Sequence, residues 1–255
     1  MVPPVECFRV EHDGGSIYFQ VSGVGKPVIL IHGLAGSTRW WASTRELLAE
    51  HFRVYAIDLI SFGATNSRRS FVLDQAAAFL AAWLERIGVE RANVVGHSMG
   101  GIIAADLAAA YPDRVDRLVL VAPATLPLNF GYPRAMLGLL RTMPGISPRF
   151  VPILIADGIR AGPLALWNAT RQILTADLRD RFCQIRAPTL LIWGERDRLV
   201  PVTVGSQLLH DVPHAKLLVM AGAGHVPMWD QPVEFVRIVT DFLDGHDRSP
   251  PTLAS

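Results

Sequence analysis

The chain has 255 residues, 50% of them hydrophobic and 18% charged, with a formal net charge of +1. That balance excludes a global field steering nucleic acid, and no run reaches the roughly 18 apolar residues of a membrane-spanning helix. Cys7 and Cys183 are too widely spaced for a disulfide framework, and the opening residues carry neither a basic start nor an apolar stretch, so a cytoplasmic protein without stable membrane insertion is expected.

Residues 8–10 and 17–21 read as two strands around Asp13-Gly14-Gly15, a hairpin signal. The rhythm then changes. Short, wholly apolar runs at 28–31, 54–57, 93–95, 118–121, 189–193 and 216–220 each end in a small or polar loop. Strands without alternation are buried on both faces, as in a parallel sheet. Segments 44–51, 72–87, 99–111, 202–210 and 233–243 can each be drawn as helices with an apolar stripe. Strand and helix in alternation predict an α/β fold: a mostly parallel central sheet with helices on both faces. Right-handed crossovers place the C-terminal strand ends on one edge, where ligands bind.

One stretch departs from this rhythm. Between residues 125 and 184 there is no buried strand, and six prolines punctuate amphipathic pieces such as 134–142 and 164–174. It is too long for an ordinary connection and reads as a helical cap inserted in the chain. The expected organisation is a core of residues 1–124 and 185–246, a cap of residues 125–184 and a flexible tail of residues 247–255.

Gly96-His97-Ser98-Met99-Gly100 follows an apolar run and opens a helix. A nucleophile at so tight a strand-to-helix turn sits at a strained backbone position, and side chains two residues to either side would collide. The turn lifts the Ser98 hydroxyl clear of the sheet and sets it at a helix N-terminus, where developing negative charge is favoured.

Gly-His-Ser-Met-Gly-Gly at 96–101, with His32-Gly33 after an earlier strand, resembles the α/β-hydrolase superfamily, in its serine-nucleophile, esterase-like branch. The resemblance runs from Val28 to Leu243. His32-Gly33-Leu34-Ala35-Gly36-Ser37, Asp58-Leu59, the elbow, Trp193-Gly194-Glu195-Arg196-Asp197 and Gly224-His225 follow in the family's order. One departure stands in Asp58-Leu59-Ile60-Ser61-Phe62-Gly63, where Ile60 and Ser61 replace the family's usual Pro and Gly.

A serine hydroxyl needs a base. Of eight histidines, His225 lies in a small-residue loop after the last apolar run, at the expected edge. His97 is expected to pack and His32 to anchor its loop. The base needs an orienting acid. The resemblance places Asp197 there, with Glu195, Asp58 and Asp230 as competitors; Asp230 reads as a cap of the last helix. For the oxyanion, the backbone amide of Met99 follows the nucleophile, and the resemblance implies the amide of Leu34 as the second donor.

Phe130, Met136, Leu140 and Trp167 are the candidate substrate-binding residues of the cap, with Phe150 among other apolar candidates. Together they imply an apolar acyl or alcohol group. Five arginines between residues 128 and 172 face a single acid, Asp157. These features lead to a serine hydrolase that cleaves a small, largely apolar ester, lactone or thioester through an acyl-enzyme on Ser98. It needs no metal or organic cofactor, and its partner is the small-molecule substrate. The alternative is hydrolysis of a carbon–carbon bond in a vinylogous diketone from aromatic degradation. A ligand-binding protein that has lost turnover is the remote reading.

Overall fold

The structure is a computed structural model that describes residues 4–12, 15–124, 146–176, 179–212 and 214–246. Eight strands form one sheet: β1 (Glu6–His12), β2 (Gly15–Ser22), β3 (Pro27–Ile31), β4 (Arg53–Ile57), β5 (Ala92–His97), β6 (Val115–Val121), β7 (Thr189–Gly194) and β8 (Ala215–Met220). Their spatial order is β1-β2-β4-β3-β5-β6-β7-β8. β1 pairs antiparallel with β2, and β2 with β4. Every other pairing is parallel.

All six apolar runs are parallel strands, and the reason is visible in their packing. Successive residues feed opposite cores: Ile29, Ile31, Val94, Leu118, Leu120, Leu191 and Trp193 face one layer. Val28, Leu30, Val95, Val119, Val121, Leu190 and Ile192 face the other. With both pleated surfaces covered, both faces of these runs favour apolar residues.

The helices are α1 (Ala42–Leu48), α2 (Leu73–Arg86), α3 (Met99–Ala110), α4 (Val151–Thr175), α5 (Arg179–Phe182), α6 (Val202–Asp211), α7 (Pro227–Asp230) and α8 (Pro232–Leu243). α2, α3 and α6 cover the first core, and α1 and α8 the second. The helix expected at 44–51 starts and stops earlier. Its last residues turn back instead, with the Phe52 amide donating to Leu48 O at 2.9 Å. Cys7 and Cys183 are both free and exposed.

The described part of the β6–β7 connection is helical, dominated by α4. Gly162 (φ 77°, ψ 160°), followed by Pro163, breaks α4 into two arms, because proline supplies no amide for the helix ladder. The first arm brings Ile153 and Leu154 to one core, and the second brings Ala169 to the other. Gln172 ties the second arm down: its Oε1 accepts from the Leu73 amide at 2.8 Å and its Nε2 donates to Phe71 O. The hairpin tip 13–14, residues 125–145 and the tail 247–255 lie outside the described residues. Among the described residues, no helix is long and apolar enough to cross a membrane.

Leu191, fully buried at the centre of β7, tests this account of the core. Leu191→Ala is expected to lower the unfolding free energy by about 2–5 kcal/mol. It should appear as a lower urea midpoint at unchanged slope.

Candidate active site

The elbow is built by steric exclusion. At Gly96 an added Cβ would overlap the carbonyl of Gly100, and at Gly100 it would overlap the carbonyls of Ile31 and His32. Only glycine lets α3 start this close to β3 and β5. Between them Ser98 is held at φ 52°, ψ −113°, a conformation costing a serine on the order of 1–3 kcal/mol. Its amide donates to Val121 O at 2.9 Å, and its carbonyl accepts from Gly101 and Ile102. Met99 is the first helical residue, so its amide has no partner within the helix.

The loop after β3 passes over this elbow. A Cβ on Gly33 would stand 3.2 Å from Ser98 Cβ and 2.9 Å from His97 Nδ1. The Gly36 amide closes a tight turn onto Gly33 O at 3.1 Å, with Ala35 at φ 61°. The amides of Leu34 and Ala35 are the two central ones of that turn, which its closing bond does not consume. His32 anchors the turn from below. Its Nε2 accepts from the Leu59 amide at 3.1 Å, so its proton sits on Nδ1, which donates to Gly33 O at 2.8 Å. Burial holds this imidazole below its usual pKa, against the pull of nearby Asp58.

The loops after β7 and β8 bring Asp197 and His225 together. His225 Nδ1 lies 2.7 Å from Asp197 Oδ2, while Asp197 Oδ1 accepts the amides of Leu199 and Val200, each at 2.9 Å. The Asp197 side chain is wholly buried and that of His225 nearly so. With Nδ1–H donating to the carboxylate, the lone pair of His225 is on Nε2.

The three competing acids have other partners. Glu195 Oε2 accepts the Gly222 amide at 2.8 Å. Asp58 accepts the amides of Thr38 and Ala64, both at 2.6 Å. Asp230 accepts the Gly224 amide at 2.8 Å. It sits at the end of α7 and braces the histidine loop rather than capping the last helix, whose N-cap position is Gln231.

The loop from Asp58 to Gly63 turns despite lacking the family's Pro and Gly. Ser61 takes the left-handed conformation at φ 71°, and its Oγ accepts the Phe71 amide at 3.0 Å.

His97 connects the elbow to His225. Its Nε2–H donates to His225 O at 2.8 Å, and the two rings stand 4.9 Å apart. Its buried Nδ1 has no hydrogen-bond partner among the described residues. Burial, reinforced by the proximity of His225, lowers the His97 pKa well below its ordinary value.

Phe130, Met136 and Leu140 lie outside the described residues. Trp167 is on the second arm of α4 and is 55% exposed. Phe150 is buried, its ring 5.0 Å from both Trp40 and Trp229, and packs the β6–β7 connection onto the body. Sequence reasoning missed Trp40, whose ring also lies 5.8 Å from that of His97, and the bracing roles of Glu195 and Asp230. Among the described residues, no group of three or more His, Cys, Asp or Glu could hold a metal ion.

Two stability measurements check this geometry. Ser98→Gly relieves the backbone strain that Ser98→Ala keeps. After the extra unfolded-state freedom of glycine is deducted, it should be the more stable variant by about 1 kcal/mol. A histidine whose folded pKa is depressed leaves the unfolded chain binding more protons in the interval below about pH 6.5. Its contribution is therefore complete above that pH and is lost on acidification. Urea midpoints should fall below about pH 6.5, and less steeply in His97→Asn.

A model of the alpha/beta hydrolase fold matches residues 26–153 and 159–232. Similar proteins include a 2-hydroxy-6-oxo-6-phenylhexa-2,4-dienoate hydrolase of Burkholderia cepacia, 28% identical over 89% of this chain and 91% of that protein. A pimeloyl-(acyl-carrier protein) methyl ester esterase of Vibrio cholerae is 26% identical over 89% of this chain and 98% of its own. Among solved structures, a bacterial membrane phospholipase A superimposes with a TM-score of 0.83 at 28% identity, covering 94% of this chain and 86% of that one. The family match spans most of the chain, including the elbow and the loops that face it, and the chain belongs to the alpha/beta hydrolase fold family.

Proposed function

We propose that the protein is a serine hydrolase that cleaves a small, largely apolar carboxylic ester, lactone or thioester. The observation that carries this reading is the Asp197–His225 pair. A buried carboxylate with one oxygen saturated by two backbone amides and the other 2.7 Å from Nδ1 holds the imidazole in the tautomer that leaves Nε2 as a base. A buried carboxylate is costly unless fully hydrogen-bonded, and this one is satisfied in a way that orients a single ring.

In this reading Ser98 Oγ attacks the carbonyl carbon while His225 Nε2 takes the hydroxyl proton. The carbonyl electron pair moves to oxygen, and the amides of Met99 and Leu34 stabilise the resulting oxyanion. On collapse the carbon–oxygen bond to the leaving alcohol breaks, and His225 returns the proton to that alcohol. Water, deprotonated by His225, then attacks the acyl-enzyme and releases the acid and Ser98. Asp197 stays ionised and stabilises the imidazolium throughout. Substrate binding is assigned to Phe130, Met136, Leu140 and Trp167 of the β6–β7 connection, of which Trp167 lies within the described residues.

The likeness to the phenylhexadienoate hydrolase supports a second reading, in which the same residues hydrolyse a carbon–carbon bond in a vinylogous diketone. The likeness to the methyl ester esterase supports the first.

A chain-length series of p-nitrophenyl esters separates the two. Turnover by the wild type that falls at least 10³-fold in Ser98→Ala and His225→Ala, and by a smaller factor in Asp197→Asn, is the expected result. No turnover of any ester, with Ser98 still labelled by a fluorophosphonate, would move the assignment to the carbon–carbon substrate. Absence of both turnover and label would refute the hydrolase reading.

A further inference from the structure

Asp157, the one acid between residues 128 and 172, is buried, with its side chain entirely out of solvent. It lies on the first arm of α4, yet it is hydrogen-bonded by one short segment more than a hundred residues earlier in the chain, residues 37–40. Ser37 Oγ donates to Asp157 Oδ2 at 2.7 Å, and Trp40 Nε1 donates to the same oxygen at 3.1 Å. The Arg39 guanidinium pairs with Oδ1. A carboxylate buried there unpaired would be strongly unfavourable, so the arm and the segment are held together or both are destabilised.

The segment has a particular neighbour. Ser37 directly follows Gly36, whose amide closes the turn that carries the Leu34 amide. Among the described residues, beside the packing of Phe150 on Trp40, three polar ties hold this stretch. His32 fastens the start of the turn and Asp58 fastens Thr38, and both come from the ends of central strands. Asp157 fastens Ser37, Arg39 and Trp40, and of the three it is the tie that comes from the β6–β7 connection.

We propose that Asp157 is a positioning residue that couples seating of the cap to placement of the Leu34 amide. When α4 is seated, the carboxylate pulls Ser37 into register and the turn presents its amide to the oxyanion. When α4 is unseated, the segment loses its three side-chain anchors and the donor drifts. Asp157 itself does not touch substrate, since its side chain is buried and both oxygens are occupied. The inference rests on the proposed role of Leu34 in the hydrolase reading.

The test compares wild type, Asp157→Asn and Ser37→Ala. Steady-state kinetics would use p-nitrophenyl acetate and p-nitrophenyl octanoate. The rate of Ser98 phosphonylation by a fluorophosphonate and the thermal midpoint would be measured alongside. A donor moved by about 1 Å costs on the order of 10²-fold, so Asp157→Asn should lower kcat for both esters about 10- to 100-fold with KM within twofold. Phosphonylation, which builds the same negative oxygen, should slow in parallel. Ser37→Ala, which removes one of the three contacts, should show about a 3- to 10-fold loss in the same direction, and it carries the test if Asp157→Asn does not fold.

Folded variants with kcat and phosphonylation within twofold of wild type overturn the coupling. So does a loss confined to KM of the octanoate, which would make Asp157 a cap-docking residue only. A wild type that Ser98 labelling shows to be competent, yet indifferent to Asp157 and Ser37, sinks the coupling alone. A wild type neither labelled nor active sinks the hydrolase reading itself, and the coupling with it.

Discussion

The close approach of backbone to backbone where β5 passes into α3 is the constraint on which the rest of the site depends. The carbonyls of Ile31 and His32 occupy the space a side chain at residue 100 would need, and the Gly100 carbonyl occupies that of residue 96. Removing those two side chains lets the helix begin directly over the strand ends. The residue between them is then forced to a positive φ, with its side chain at the helix N-terminus. Gly33 extends the same logic to the next layer, since its missing side chain is what lets the loop after β3 lie on Ser98 and His97. Strain at one serine is thus maintained by a stack of close-packed backbones around it.

Around that point the loops are fixed by carboxylates rather than by apolar packing. Asp58, Glu195 and Asp230 each accept backbone amides of a loop at the sheet edge, as Asp197 does with one of its oxygens. Loops have no ladder to satisfy their amides, and a carboxylate accepts several at once. Asp197 differs from the others in having its second oxygen directed at an imidazole. His97 completes the bracing through the His225 carbonyl, and its burial disfavours its own charged form beside that histidine.

Among the described residues, the connection between β6 and β7 is joined to this edge by contacts of different character. Phe150 wedges between Trp40 and Trp229, Gln172 ties to the start of α2, and Asp157 reaches the segment beyond the β3 loop. The break at Gly162 and Pro163 lets one helix serve both faces of the sheet. The aromatic wedge is non-directional burial, whereas the carboxylate contact is directional. Only the latter can set the position of a particular backbone group.

Much of this was written locally in the chain. Unalternating runs such as 118–121 specify strands buried on both faces, because a polar residue on either side would lose its water without gaining a partner. Gly-x-Ser-x-Gly after such a run specifies the turn at Ser98, because the collision it avoids lies within a few residues. The left-handed Ser61 was not legible in this way: serine carries no such preference, and a contact with the distant Phe71 amide holds it there. Asp157 was visible only as one charge among arginines, and Asp230 looked like a helix cap until Gly224 was seen to be its donor. A short-range pattern reports what neighbours along the chain forbid or favour. The donors that Asp230 and Asp157 meet stand 6 and 120 residues away along the chain, and only the packed tertiary structure brings those together.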